Sequence, residues 1–228
     1  MDEDTLERRR RVLGEDHPDT LTSANDLSVT LDLLGEYEEA RRLQEDALER
    51  RRRVLGEDHP DTLQSANNLA GSLGSLGEHE ESRRLNEDAL ERRRRVLGDD
   101  HPDTLSSANN LASAMHRLGR YEEAHRLHED ALERRRRVLG EDHPDTFTSA
   151  NNLASALCRL RQFAAAEKLL RDAHARSRRV LGENHPETQE ITESLARVLI
   201  SLGRPFEAQK LRASGGKAGQ RRKRQKRR

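Results

Sequence analysis

The chain is poor in the residues that fill protein cores. Its 228 residues include no tryptophan, two tyrosines and three phenylalanines, and Leu, Ile, Val and Phe together number 45, just under a fifth. So low a share would by itself suggest disorder. Disordered chains of that kind carry high net charge, whereas here 42 basic residues cancel 42 acidic ones. No apolar run approaches the roughly 18 residues that a membrane-spanning helix needs, and the opening MDEDTLERRR lacks the apolar core of a signal peptide. The single cysteine, Cys158, has no partner for an internal disulfide. These absences leave a folded, charge-rich, cytoplasmic protein as the expectation.

Repetition is what the chain has in place of a conventional core. VLGEDHPDTL runs from Val12 and returns unchanged from Val54, then as VLGDDHPDTL from Val96, VLGEDHPDTF from Val138 and VLGENHPETQ from Val180, each copy 42 residues after the last. A fixed period of this length is the signature of a repeat architecture.

The second copy shows what one unit predicts. Pro60 suits a first helical turn, where its missing N–H would be unpaired anyway, and Asp61 adds negative charge at the positive end of the helix dipole. Leu63, Ala66, Leu69, Ala70, Leu73 and Leu76 then recur at spacings of three and four, one apolar face of a helix A that Gly77 ends. Helix B is predicted from Glu78 to Leu97, with Leu85, Ala89, Leu90, Val96 and Leu97 apolar and Gly98 as its stop. Equivalent A helices are expected near Pro18, Pro102, Pro144 and Pro186. A pair this narrow cannot bury its stripe alone, so neighbouring pairs must stack into an all-α solenoid, and spacing by itself leaves its hand open. Small residues stand where helices must approach closely: Ala70, Ala112 and Ala154 in helix A, and Ala40, Ser82, Ala124 and Ala166 in helix B.

NNLASALCRL from Asn151 and GRYEEAHRLHEDALE from Gly119 resemble tetratricopeptide repeats, and the 42-residue spacing with LGEDHPDT between units is similar to the kinesin light chain type of that family. The resemblance covers residues 1 to about 212. His79 and Pro205 replace the family's tyrosine, and Arg161 replaces its glycine. What it implies is a right-handed superhelix of antiparallel helix pairs whose A helices line a concave groove for peptides or partner proteins. It implies no enzyme and no cofactor.

Ten histidines and many carboxylates raise the question of a metal or catalytic centre. His17, His59, His101, His143 and His185 are equivalent positions, and with helices packed 8–10 Å apart such positions lie roughly 20 Å from one another. One ion with ligands near 2 Å cannot collect them; capping of helix A is the expected role. His125 and His128 share a helix face and are read as an exposed, solvated pair, and Cys158 as a free thiol. The runs Arg50–Arg53, Arg92–Arg95 and Arg134–Arg137 follow acids at spacings that allow helix salt bridges and are read as a solvated, self-paired convex face.

A second stripe on helix A carries the binding expectation. With Leu27 turned to the core, steps of about 100° place Thr22, Asn25, Val29 and Asp32 on the opposite side. The equivalents of Asn25 are Asn67, Asn109 and Asn151, and asparagine offers both a donor and an acceptor to an extended peptide backbone. The competing reading is that these residues brace neighbouring helices. Along the same face His116 and Arg117, then Cys158 and Arg159, then Arg197 make the later repeats locally basic, and arginine binds carboxylates through paired hydrogen bonds. An acidic or C-terminal carboxylate ligand is the sharper expectation.

The predicted array spans residues 1–212: a half repeat opening in mid-repeat, as a fragment or the C-terminal array of a longer protein would, then units from 18, 60, 102, 144 and 186. Residues 213–228 hold eight Lys or Arg and no acid, against 34 basic and 42 acidic residues, or −8, in 1–212. This tail is expected to be disordered. Its Arg221, Arg222, Lys223, Arg224, Lys226, Arg227 and Arg228 offer weak electrostatic contact to nucleic acid, the basis of an alternative role as a nucleic-acid-associated protein. Self-association through the ends of the array is a further expectation.

Overall fold

The computed structural model describes residues 2–213, and no strand occurs among them. The helices are α1 (Asp2–Leu13), α2 (Pro18–Leu34), α3 (Tyr37–Leu55), α4 (Pro60–Ser75), α5 (His79–Leu97), α6 (Pro102–Arg117), α7 (Tyr121–Leu139), α8 (Pro144–Arg159), α9 (Phe163–Val180) and α10 (Pro186–Ser201), with a further helical segment over 205–213. All five even-numbered helices start at the expected prolines, and each pair is broken at the expected turn. None of the described helices is long and apolar enough to cross a membrane. The chain divides at Gly119–Arg120 into two compact units, one holding α1–α6 and the other α7–α10 with 205–213. The basic residues from 221 onward lie outside the described residues.

Local chemistry accounts for the element boundaries. Each of His17, His59, His101, His143 and His185 is the N-cap of an A helix, its Nδ1 accepting from the backbone N–H two residues on, at 3.2 Å for His59 and Asp61. Proline follows directly and an acid occupies the first turn. The five histidines therefore cap their helices, the role expected from their spacing.

Packing within each unit follows the apolar stripes. In the first, Leu48, Ala66, Leu69 and Leu73 form one cluster and Leu6, Ala24 and Ala47 another. In the second, Leu132, Phe147, Leu157, Leu170, Ile191, Leu195 and Leu199 form a continuous core. Ala40, Ala124 and Ala166 are wholly buried, and Ser82, in the same register, is accommodated because its Oγ donates to the Ala70 carbonyl at 2.6 Å. Val96, expected on the apolar face of helix B, is half exposed.

The arginine runs do not form one solvated face, and this is the main departure from expectation. Their outer members are surface-paired: Arg50 binds Asp46 one turn back and Asp16 of the preceding loop, which Arg53 also binds. Arg92 and Arg95 do the same with Asp58, and Arg176 and Arg179 with Asp142. The hydrogen bond from Arg50, aided by Arg53, holds the Asp16 carboxyl below its ordinary value. Arg51, Arg93 and Arg135 instead point inward and are 3–5 % exposed. Arg51 Nη1 donates to the Asp61 carbonyl at 3.0 Å and to Ser65 Oγ at 2.7 Å, on the next A helix, and Arg93 and Arg135 repeat the arrangement with Asp103 and Ser107 and with Asp145 and Ser149. Burial lowers the affinity of all three guanidiniums for the proton, though a group that starts so basic stays charged.

Candidate functional site

Each unit has a polar cleft at the same place in the repeat, between one A helix, its own B helix and the next A helix. The cleft in the second unit, of about 390 Å³, is lined by Asn151, Cys158 and Arg159 of α8, Leu170 of α9, and Glu190 and Arg197 of α10. Residues 151, 155 and 159 share one face of α8 by their spacing of four, and 190, 194, 197 and 201 share one face of α10. That is why the two helices present these side chains to a single space. Arg159 and Arg197 are both exposed. Arg197 donates to Ser194 Oγ at 3.0 Å, and neither arginine has a carboxylate partner among the described residues. Burial pushes the Cys158 thiol up, against the pull of Arg197 and Arg159, so it stays protonated at neutral pH and is a poor nucleophile.

The cleft in the first unit, of about 260 Å³, is lined by Asn67 and Gly71 of α4, Ser82 and Asn86 of α5, and Ser113 and Arg117 of α6, among others. Arg117 lies over Gly74, where a Cβ would overlap its Nη1.

The structure thus brings Asn151, Arg159 and Arg197 to one cleft and Asn67 and Arg117 to the other, while Asn25, Asn109 and His116 line neither. The asparagine ladder is tied into the scaffold along its length. Asn25 Oδ1 accepts from Asn68 Nδ2 at 2.7 Å, Asn67 Nδ2 donates to Ser107 Oγ at 3.2 Å, and Asn151 Nδ2 donates to Glu190 Oε1 at 3.1 Å. Asn67 and Asn109 are each only 7 % exposed. What Asn67 and Asn151 keep available is their amide oxygens, both without a partner.

The inner face of helix B escaped the sequence reading. His128, expected to be solvated, is buried, its position falling on the inner face of helix B. Its equivalents Gln44, Asn86 and Leu170 are buried too, so the B helix contributes a residue to the space between repeats. The signal was present in the spacing, since residue 86 stands three and four before the core residues Ala89 and Leu90.

Comparison with known proteins comes to the same repeat. Two tetratricopeptide repeat models match the chain, one over residues 63–137 and one over 1–19, 20–61 and 146–187. A crystal structure of a Podosopora anserina protein, described as a kinesin light chain with nearly identical TPR-like repeats, is 28 % identical, with 91 % of this chain and 98 % of that one covered and a TM-score of 0.75. BtubC (BKLC) from P. vanneervenii shares the fold at 21 % identity, covering 95 % and 87 % with a TM-score of 0.77. NprR, solved in complex with its cognate peptide NprX, shares it at 17 % identity, covering 96 % and 62 % with a TM-score of 0.67. No curated protein matches the sequence.

Proposed function

Because this chain belongs to the tetratricopeptide-repeat family and is of its kinesin light chain type, we propose that it is a non-catalytic protein-interaction scaffold of the cytoplasm that holds an extended acidic segment of a partner against its A helices. One observation carries the acidic preference: Arg159 and Arg197 line a single cleft and neither forms an ion pair among the described residues, the one acid of the cleft wall, Glu190, accepting from Asn151 instead, whereas Arg92 and Arg95 are matched to Asp58 across 34 and 37 residues. Asn151 stands in the same cleft, its Oδ1 buried and without a hydrogen-bond partner. A scaffold of this fold that holds a peptide has a precedent in NprR, and the raised thiol of Cys158 favours no covalent chemistry. Asn109, buried as it is, would act by keeping the A helices of its own unit in register.

The test is titration of a labelled acidic peptide, and of the same peptide with Gln for every Glu, onto the full chain at low salt. The acidic peptide should bind better, and Arg159→Ala and Arg197→Ala should each weaken it about tenfold, in line with one charge-assisted hydrogen bond lost. Both side chains are exposed, so the melting temperature should hold. Equal binding of the two peptides, or an unchanged affinity in the double variant, rejects the acidic reading. A chain that binds DNA oligomers instead, and loses them on deletion of residues 213–228, would favour the nucleic-acid alternative.

A further inference from the structure

The first unit contains, in two successive repeats, a closed and an open version of the same space. In the earlier repeat Gln44 of α3 fills it. Its Nε2 donates to Ser28 Oγ at 3.2 Å and Asp32 Oδ2 at 3.1 Å, and its Oε1 lies 2.7 Å from Ser72 Oγ on the next A helix. This carboxamide is buried with both of its functions satisfied. One period later every member of the network is shorter or gone: Ser28 becomes Ala70, Asp32 becomes Gly74, Gln44 becomes Asn86, and Ser72 becomes Ala114. The space those groups occupied is the 260 Å³ cleft.

What remains in the cleft is asymmetric. Asn86 is 3 % exposed; its Nδ2 donates to the Ser82 carbonyl at 2.9 Å, while its Oδ1 has no partner. Asn67, 7 % exposed, likewise has its Nδ2 bonded to Ser107 and its Oδ1 unpartnered. Two residues of the cleft wall therefore hold a buried acceptor without a partner, and such an acceptor costs about 1–3 kcal/mol. At the rim Arg117 supplies a cationic donor with no acid beside it among the described residues. A carboxylate would meet two lone-pair oxygens. An ammonium would meet Arg117. A primary carboxamide meets neither conflict, since its NH2 carries two donors and its C=O one acceptor.

We propose that this cleft is a carboxamide pocket, taking the side chain of a glutamine or asparagine from an extended partner segment, with Asn67 and Asn86 accepting from its NH2 and Arg117 donating to its C=O. The pocket rests on the scaffold reading proposed above for its biological ligand. Its chemistry is the one Gln44 already satisfies within the chain.

The experiment uses the full chain labelled with nitrogen-15 and three probes: N-acetylglutamine N-methylamide and its glutamate and alanine counterparts. The glutamine probe should shift the side-chain amide resonances of Asn67 and Asn86 saturably, with an affinity about tenfold above the other two, as expected for a pair of neutral hydrogen bonds. Asn86→Leu should remove the effect without unfolding, because Leu170 is buried at the equivalent position. So should the combined variant Ala70→Ser, Gly74→Asp, Asn86→Gln, Ala114→Ser and Arg117→Ser, which gives the cleft the residues of the earlier repeat and removes the guanidinium lying over Gly74. Glutamine no better than alanine, no saturable shift from any probe, or binding retained in Asn86→Leu overturns the proposal. The acidic peptide reads the Arg159 and Arg197 cleft separately: if it fails while the glutamine probe binds, the acidic reading falls alone, and the reverse result removes only the carboxamide pocket.

Discussion

Arg51→Ser is expected to destabilise the protein by about 2–5 kcal/mol, at about 1–3 kcal/mol for each of two buried acceptors that lose their donor. The guanidinium ties the C-terminal part of α3 to the start of α4 through the Asp61 carbonyl and Ser65 Oγ. Its loss leaves those two acceptors and a guanidinium-sized space inside. Ser65→Ile alone should be similarly damaging, since it deprives a buried charge of its hydroxyl acceptor and overfills the site. The two together should come within about 1 kcal/mol of the starting protein, a coupling well above the few tenths expected of independent sites. The chain supplies the reason. At the equivalents of 51 and 65 in the last repeat stand Ser177 and Ile191, both buried, Ile191 within the apolar core. There the polar staple is absent: Ser177 Oγ donates to the His174 carbonyl within its own helix, and Ile191 joins the apolar core. Asn151, left without the serine that Asn67 uses, donates to Glu190 instead. Urea unfolding of the two single variants and the double variant measures the cycle, and simple additivity would show that the arginine and serine are not a unit.

Gly98→Ala should cost about 1–3 kcal/mol, as for a residue forced into a glycine-only backbone region. Gly35→Asn should cost less than about 1 kcal/mol, because asparagine is tolerated in the left-handed region. Both glycines close a helix with positive φ, but Gly98 stands at φ 88° and ψ 165°, whereas Gly35 stands at φ 85° and ψ 7°. A Cβ at either would meet nothing within 4 Å, so the difference is one of backbone strain alone. The repeats have made the same distinction. The equivalent of Gly35 in the fourth repeat is Arg161 at φ 60°, while Gly14, Gly56, Gly98, Gly140 and Gly182 occupy the other turn in all five copies. Equal losses of thermal stability in the two variants would refute the argument.

The 42-residue period, the A-helix starts at proline and the breaks at glycine were all readable in the sequence, because each depends on bonds within a turn or two of the residue concerned. The His59 cap needs only Asp61, and the stripe from Leu63 to Leu73 needs only the helical step. The same step put Asn151 and Arg159 on one face of α8, and the basic drift of the later repeats singled out Arg197. What the sequence could not show is the rotation of each helix about its axis against its neighbours. Four adjacent arginines, Arg50 to Arg53, read alike until packing turns Arg51 toward Ser65 and leaves Arg50 and Arg53 to Asp16. The asparagine ladder could brace or bind until the neighbouring A helix brought Ser107 to Asn67 and Glu190 to Asn151. Whether residue 86 left a space depended on Ala70, Gly74 and Ala114 converging from two other helices. Local hydrogen bonding sets where helices begin and end, but the partners of a side chain on a helix face are chosen by the helices laid against it, and that choice belongs to the tertiary structure.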